Sequence, residues 1–159
     1  MSVETRNGEL ERWGPTFARL ALGIPMLVAG IGKVFAVGPK APGIEGFTGM
    51  LSGIGIPFPT VFAWIVGITE VVTGVFLLVG VLVRLSGVFV AVIMLVATVT
   101  VHLENGYATS EGGFELTLAL FLVAVSLVFA GPGRLSVEHE LLERELIPVS
   151  GGAEATEAD

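Results

Sequence analysis

Three residues of this chain can handle protons and lie where water should be scarce: Lys33, Glu70 and His102. Glu70 is the sharpest case. It sits near the middle of Thr60–Val83, a run in which no other residue is charged. A carboxylate in apolar surroundings needs a cation, a proton or a water-filled cavity. An amine or imidazole beside it completes a donor–acceptor pair, the minimal equipment for moving a proton. Lys33 lies near the end of a second apolar run and His102 near the end of a third. Glu70 is therefore read as the proton acceptor, with Lys33 or His102 as the neighbouring donor. A structural reading competes, with Lys33 extending to a polar surface, His102 at a boundary and Glu70 as an ionic lock.

What the chain lacks bounds the remaining chemistry. It has no cysteine, which excludes disulfides, thiolate-held zinc, iron–sulfur clusters and dithiol exchange within this chain. Of its 2 histidines only His102 lies in an apolar run, so the chain alone cannot supply paired histidines to a haem. No metal site is expected. The segment Gly30-Ile31-Gly32-Lys33 sits inside an apolar run with no strand before it, so it carries no meaning as a nucleotide motif. A formal charge of -7 argues against nucleic acid as a partner.

The elements that must position these residues follow from composition. Of the 159 residues, 53% are hydrophobic and 14% charged, with mean hydropathy +0.86. Soluble proteins average about 25% charged residues, and a 16.6 kDa chain has no interior large enough to hide so many aliphatic side chains. Crossing about 30 Å of hydrocarbon takes roughly 20 apolar residues in a helix. Four stretches qualify: Thr16–Val37, Thr60–Val83, Leu85–Leu103 and Phe114–Gly131. Of the 8 basic and 15 acidic residues, only Arg19, Lys33, Glu70 and Glu115 fall within them. The expected fold is all-α, a polytopic membrane protein whose four spans form a single domain over residues 1–147.

The boundaries have local causes. Gly14-Pro15 precedes the first span and Pro57-Phe58-Pro59 opens the second, since proline suits a helix start. Gly131-Pro132-Gly133 ends the fourth, and Pro25 should kink the first. Only Arg84 separates the second and third spans, which makes them a tight hairpin. Between the first two, Phe47, Met50, Leu51 and Ile54 recur at helical spacing, giving a short interfacial helix over Ile44–Ile54. A second surface helix is expected over Ser136–Ile147 and a disordered acidic tail over residues 148–159.

Orientation follows from the basic residues. Arg6, Arg12, Arg19, Arg84, Arg134 and Arg144 fall on the side of the termini, and Lys33 and Lys40 on the other. Both termini are expected to be cytoplasmic, in the cell membrane. A cleaved signal peptide is disfavoured by Glu4, Glu9 and Glu11 in the leading segment.

Transmembrane helices associate through small and polar residues rather than hydrophobicity. Each span carries one such stripe: Arg19, Gly23, Gly30 and Lys33; Ala63, Gly67, Glu70 and Gly74; Gly87, Ala91, Met94, Thr98 and His102; and Glu115, Ala119, Ser126 and Ala130. Turning all four inward gives a bundle with an outward-opening polar cavity, Glu70 at its floor and His102, Glu104, Tyr107 and Glu115 at its rim. Counted along the helices, Lys33 should lie about three turns nearer the outer surface than Glu70, and Arg19 should anchor the first span at the cytoplasmic surface.

The ordered set of motifs resembles a known family. R-L-A-L-G…G-I-G-K runs from Arg19 to Lys33, and F-T-G-M-L-S-G-I-G-I-P-F-P from Phe47 to Pro59. The second span carries E-x-x-x-G-x-x-L-L-x-G-x-x-x-R, from Glu70 to Arg84, followed by His102 and by G-P-G-R-L-S after the fourth span. Over Pro15–Val137 this resembles the DoxX-type four-helix membrane proteins of bacteria and archaea. The resemblance implies a respiratory or sulfur-redox setting, as a subunit of thiosulfate:quinone oxidoreductase or of membrane oxidoreductase complexes that deal with oxidative stress. It brings no settled catalytic residues, so Lys33, Glu70 and His102 stand on membrane electrostatics. The expected function is an integral subunit of a redox complex, not catalytic alone, that binds a quinone or small substrate and handles protons. Its expected partners are the bilayer and a protein partner or a second copy. The alternatives are a non-enzymatic scaffold and a small-solute carrier.

Overall fold

The computed structural model describes residues 13–140, with side chains to Glu138, and every regular element among them is helical. Helix α1 spans Trp13–Phe35 and runs without a break through Pro25. Helix α2, Gly43–Gly53, is the short amphipathic segment. Helix α3 spans Pro59–Val79, with Pro59 in its first turn behind a left-handed Phe58. Helix α4, Val83–Ala97, continues through a π-helical turn, Thr98–His102, and a 3-10 turn, Leu103–Asn105. After a loop with a further 3-10 turn come α5, Glu115–Ala130, and the short α6, Val137–Glu140. Three helical stretches, Trp13–Phe35, Pro59–Val79 and Val83–Asn105, are long and apolar enough to cross a membrane, and α5 is a shorter apolar helix. Arg6, Arg12, Arg144, most of the expected surface helix and the acidic tail lie outside the described residues.

The turn between the second and third spans differs from the expectation. It is Gly80–Leu82, and Arg84 belongs to the first turn of α4. Gly80 takes φ +79°, a left-handed cap whose N–H donates to the Phe76 carbonyl at 2.8 Å. Apolar residues continue through Val83, so hydropathy hides a stop that glycine's backbone freedom imposes.

α1 packs most extensively on α3, and α4 on α5; contacts of α3 with α4 and of α1 with α5 join the two pairs. Glycines set the first interface. A Cβ on Gly74 would stand 2.7 Å from the Leu27 nitrogen, and one on Gly30 would stand 2.6 Å from the Val71 nitrogen. The core between the pairs holds Leu22, Met26, Leu77, Val83, Val90, Met94, Ala124 and Leu127. Ile24, Ile68, Phe89, Val92 and Phe129 point outward, an apolar belt suited to lipid.

The stripes of the first three spans turn inward: Arg19, Gly23, Gly30, Ala63, Gly67, Glu70, Gly74, Gly87, Ala91 and Met94 are buried, and Lys33, Thr98 and His102 half-buried. The fourth does not. Glu115, Ala119, Ser126 and Ala130 are exposed, and α5 instead buries Ala124 and Leu127. Ser126 meets its hydrogen-bonding need on its own helix, donating to the Val123 carbonyl at 2.8 Å. The small residue at this interface is on α4: a Cβ on Gly87 would stand 3.1 Å from the Ala124 carbonyl oxygen.

Candidate functional site

α1 and α3 run antiparallel, and their glycine contacts fix the register. Lys33 and Val34 lie beside Gly67, Gly30 beside Val71, and Gly23 beside Gly74 and Leu78. Lys33 is thus about one helical turn from Glu70 in depth, not the three counted along the sequence. The discrepancy arises because α1 ends at Phe35 while α3 begins two turns further out, a gap filled by the loop and α2. The loop folds back down α1, so close that a Cβ on Gly32 would collide with the Lys40 carbonyl. α2 then packs on the first turns of α3, burying Phe47 and Leu51 against Ala63. Met50 and Ile54, the rest of its apolar face, stay exposed.

The register brings Lys33 onto Glu70. Lys33 Nζ donates to both carboxylate oxygens, at 2.7 Å to Oε1 and 2.5 Å to Oε2. The Phe47 ring lies against the same ammonium, its centroid 4.9 Å from Nζ. Only 3% of the Glu70 side chain is exposed, against 16% for Lys33. The expected open cavity with Glu70 at its floor is therefore replaced by a closed pair, shielded on one side by an aromatic ring. Two opposite charges in contact satisfy each other at a depth where either alone would be strongly disfavoured. The contact also sets out a proton donor and an acceptor with no atom between them.

His102 is held elsewhere. Its Nδ1 is 2.6 Å from the Gly112 carbonyl oxygen, in the connection between α4 and α5. Asn105 donates to the same oxygen at 3.3 Å, Glu115 accepts from the backbone and hydroxyl of Thr109, and Tyr107 packs edge-on against Phe114. The rim residues thus tie down their own loop. Among the described residues no group of three or more His, Asp or Glu side chains could hold a metal.

A second polar centre lies at the opposite end of the bundle. Arg19 is 2% exposed rather than a surface anchor. Its Nη1 donates to the Leu77 carbonyl at 3.2 Å, and Nη2 donates to those of Arg134 and Leu135, each at 2.9 Å. Thr16 Oγ1 donates to the Arg134 carbonyl at 2.7 Å, and the Arg134 guanidinium stacks on Trp13. Glu138, 2% exposed, accepts from the Val83 N–H at the start of α4, and its own N–H donates to the Gly80 carbonyl. Segment Gly131–Glu138 thereby turns back and closes this end. Sequence marked Arg19 and Gly131-Pro132-Gly133 separately but offered no signal that one grips the chain after the other.

The DoxX family model matches residues 14–103, more than half of the chain. The chain belongs to the DoxX family. An uncharacterized membrane protein of Mycobacterium tuberculosis is 31% identical over 136 residues, 79% of this chain and 80% of that protein. An uncharacterized protein of Haemophilus influenzae is 29% identical over 70 residues, 44% of this chain and 46% of its own. No solved structure matches this DoxX-family chain. The family match takes in Arg19, Lys33, Glu70 and His102 and stops short of α5 and of the segment Gly131–Glu138 that Arg19 holds.

Proposed function

We propose that this DoxX-family protein is an integral subunit of a redox complex in the cell membrane, with both termini cytoplasmic. In this reading Glu70 accepts and Lys33 donates the proton that accompanies electron transfer to or from a quinone or another small substrate. The observation that carries it is the direct contact of Lys33 Nζ with both Glu70 oxygens in a span-forming pair of helices. An ammonium would hold a ring carbonyl, and the Phe47 face would stack on a planar ring. A bound quinone would supply two-electron, two-proton chemistry, the electrons coming from a separate protein partner because this chain has no thiolate to hold a cluster. The chain's own residues would bind the ring, exclude water and hold the proton between Nζ and the carboxylate. The basic residues Arg19, Arg84 and Arg134 at the end of the termini support the orientation.

The scaffold reading is favoured by one observation of its own: the two charges are buried on each other and neutralise each other. Solvent extraction of protein purified in mild detergent separates the two. Wild type and the charge-exchanged variant Lys33→Glu/Glu70→Lys keep a pair, but the exchange moves the donor to the other helix. Stoichiometric quinone in wild type, lost in an exchanged variant that still folds, supports the redox reading. No quinone in either gives the function to the scaffold.

A further inference from the structure

The Lys33–Glu70 pair lies toward the end of the bundle that carries the α1–α2 loop, and the interior between it and the end of the termini is dry. The segments that cross this stretch are residues 20–30 of α1, 71–79 of α3, 86–94 of α4 and 119–128 of α5. They contain three polar side chains, Thr73, Ser86 and Ser126. Thr73 donates to the Thr69 carbonyl at 2.7 Å and Ser126 to that of Val123 at 2.8 Å, each within its own helix, and Ser86 is buried in the first turns of α4. A proton moves along linked donors and acceptors about 2.5–3.2 Å apart, and none of the three hydroxyls makes such a link between helices. Leu22, Leu77, Val90, Ala124 and Leu127 fill the middle with no exposed surface. Gly23 and Gly74 hold α1 and α3 too close for water to pass: a Cβ on Gly23 would stand 3.2 Å from the Gly74 carbonyl oxygen.

Below this dry stretch sits the Arg19 clasp. Arg19 holds carbonyls of α3 and of the returning segment, and Gly80 leaves no room for a side chain. A Cβ there would stand 2.5 Å from Ser136 Cβ and would also meet Arg19 Nη1. At the loop end the cover over the pair is the α1–α2 loop and α2. Lys33 is two residues from the end of α1, its side chain is 16% exposed, and residues 35–42 after it are all exposed.

We propose that the Lys33–Glu70 site exchanges water, protons and substrate with the loop end alone, and that Arg19 with Gly131–Glu138 is the seal at the other end. Its functional meaning rests on the pair being the working site, but the access itself is independent of what reacts there. The site then draws its protons from one compartment, and the chain by itself is no path across the membrane.

The cysteine-free sequence makes the test direct. Full-length single-cysteine variants in vesicles of known orientation are exposed to a small, charged, membrane-impermeant methanethiosulfonate added from one side or the other. Two variants probe the loop end: Lys33→Cys in a Glu70→Gln background, and Val34→Cys with the pair intact in case the first fails to fold. Thr73→Cys probes the dry stretch, and the nearly isosteric Ser86→Cys, one turn beyond the Val83 N–H that Glu138 holds, probes its edge beside the clasp. The loop-end thiols should react at least tenfold faster from the loop side. Thr73→Cys should resist the reagent from the side of the termini with or without Gly80→Ala, whereas Ser86→Cys should resist it from both sides and react from the side of the termini once Gly80→Ala disrupts the clasp. Equal rates from both sides, faster reaction from the side of the termini, or no reaction at either loop-end thiol overturns one-sided access. Reaction of Thr73→Cys from the side of the termini overturns the dry stretch, and reaction of Ser86→Cys without Gly80→Ala, or its resistance with it, overturns the seal. Quinone-free protein with one-sided labelling would retire the redox reading and keep the access; quinone-bound protein labelled from both sides would do the reverse.

Discussion

The Cβ of Lys33 stands 3.6 Å from the point where a side chain on Gly67 would begin. The missing side chain on α3 gives the lysine stem its place, and from there the ammonium reaches Glu70 one turn further along the same helix. Gly67, Glu70 and Gly74 act as one face: two glycines admit α1, and the carboxylate between them receives the Lys33 ammonium from the last turn of α1.

Removing one member of the pair should cost far more than exchanging both. Glu70→Gln or Lys33→Met leaves a buried charge without its partner, a change expected to destabilise by about 3–5 kcal/mol. The exchanged variant Lys33→Glu/Glu70→Lys should recover most of that. Thermal unfolding of the four proteins in one detergent checks it, and equal losses in the single and exchanged variants would contradict it.

Gly74→Ala and Gly30→Ala place a methyl against backbone nitrogens of Leu27 and Val71, which no rotamer change can relieve. Overpacking of this kind costs about 1–3 kcal/mol. Gly49→Ala in α2 meets nothing within 4 Å and should be neutral, or stabilising by up to about 1 kcal/mol. Comparing the three unfolding midpoints tests whether close approach, rather than glycine content, sets the interface.

Phe47→Leu keeps a buried apolar side chain and deletes the ring face beside the ammonium. A cation–π contact is worth about 0.5–2 kcal/mol, more when desolvated. A double-mutant cycle with Lys33→Met should return a coupling energy in that range. Zero coupling would reduce Phe47 to packing on α3.

Arg19→Lys should fail to rescue Arg19→Ala. A single ammonium cannot reproduce the fork that spans the Leu77, Arg134 and Leu135 carbonyls, and each buried acceptor left unpaired costs about 1–3 kcal/mol. Both variants should expose Gly131–Glu138 to limited proteolysis faster than wild type. Wild-type protease resistance in Arg19→Lys would show that charge alone suffices.

Much of this was readable because lipid imposes simple rules. Length and apolarity marked the spans, and the stripes of Gly23, Gly67, Gly74 and Gly87 marked the faces of three of them, because helices in lipid must approach through small residues. α5 broke the rule. Its sequence is apolar nearly all round, so its few small residues did not report which side packs, and Gly87 on its neighbour decided the matter.

By itself the sequence determined the membrane setting, the helices, the amphipathic segment before α3, and Glu70 as the residue in need of a partner. Those follow from local hydropathy and from the cost of a charge in hydrocarbon, which each segment carries regardless of its neighbours. Only the tertiary structure decided that Lys33 rather than His102 meets Glu70, that Phe47 covers the ammonium, and that Arg19 grips the segment after α5. These depend on the offset between antiparallel helices and on where a returning loop settles. Contacts between backbones far apart in the chain fix both, and neither leaves a mark in the spacing of residues along it.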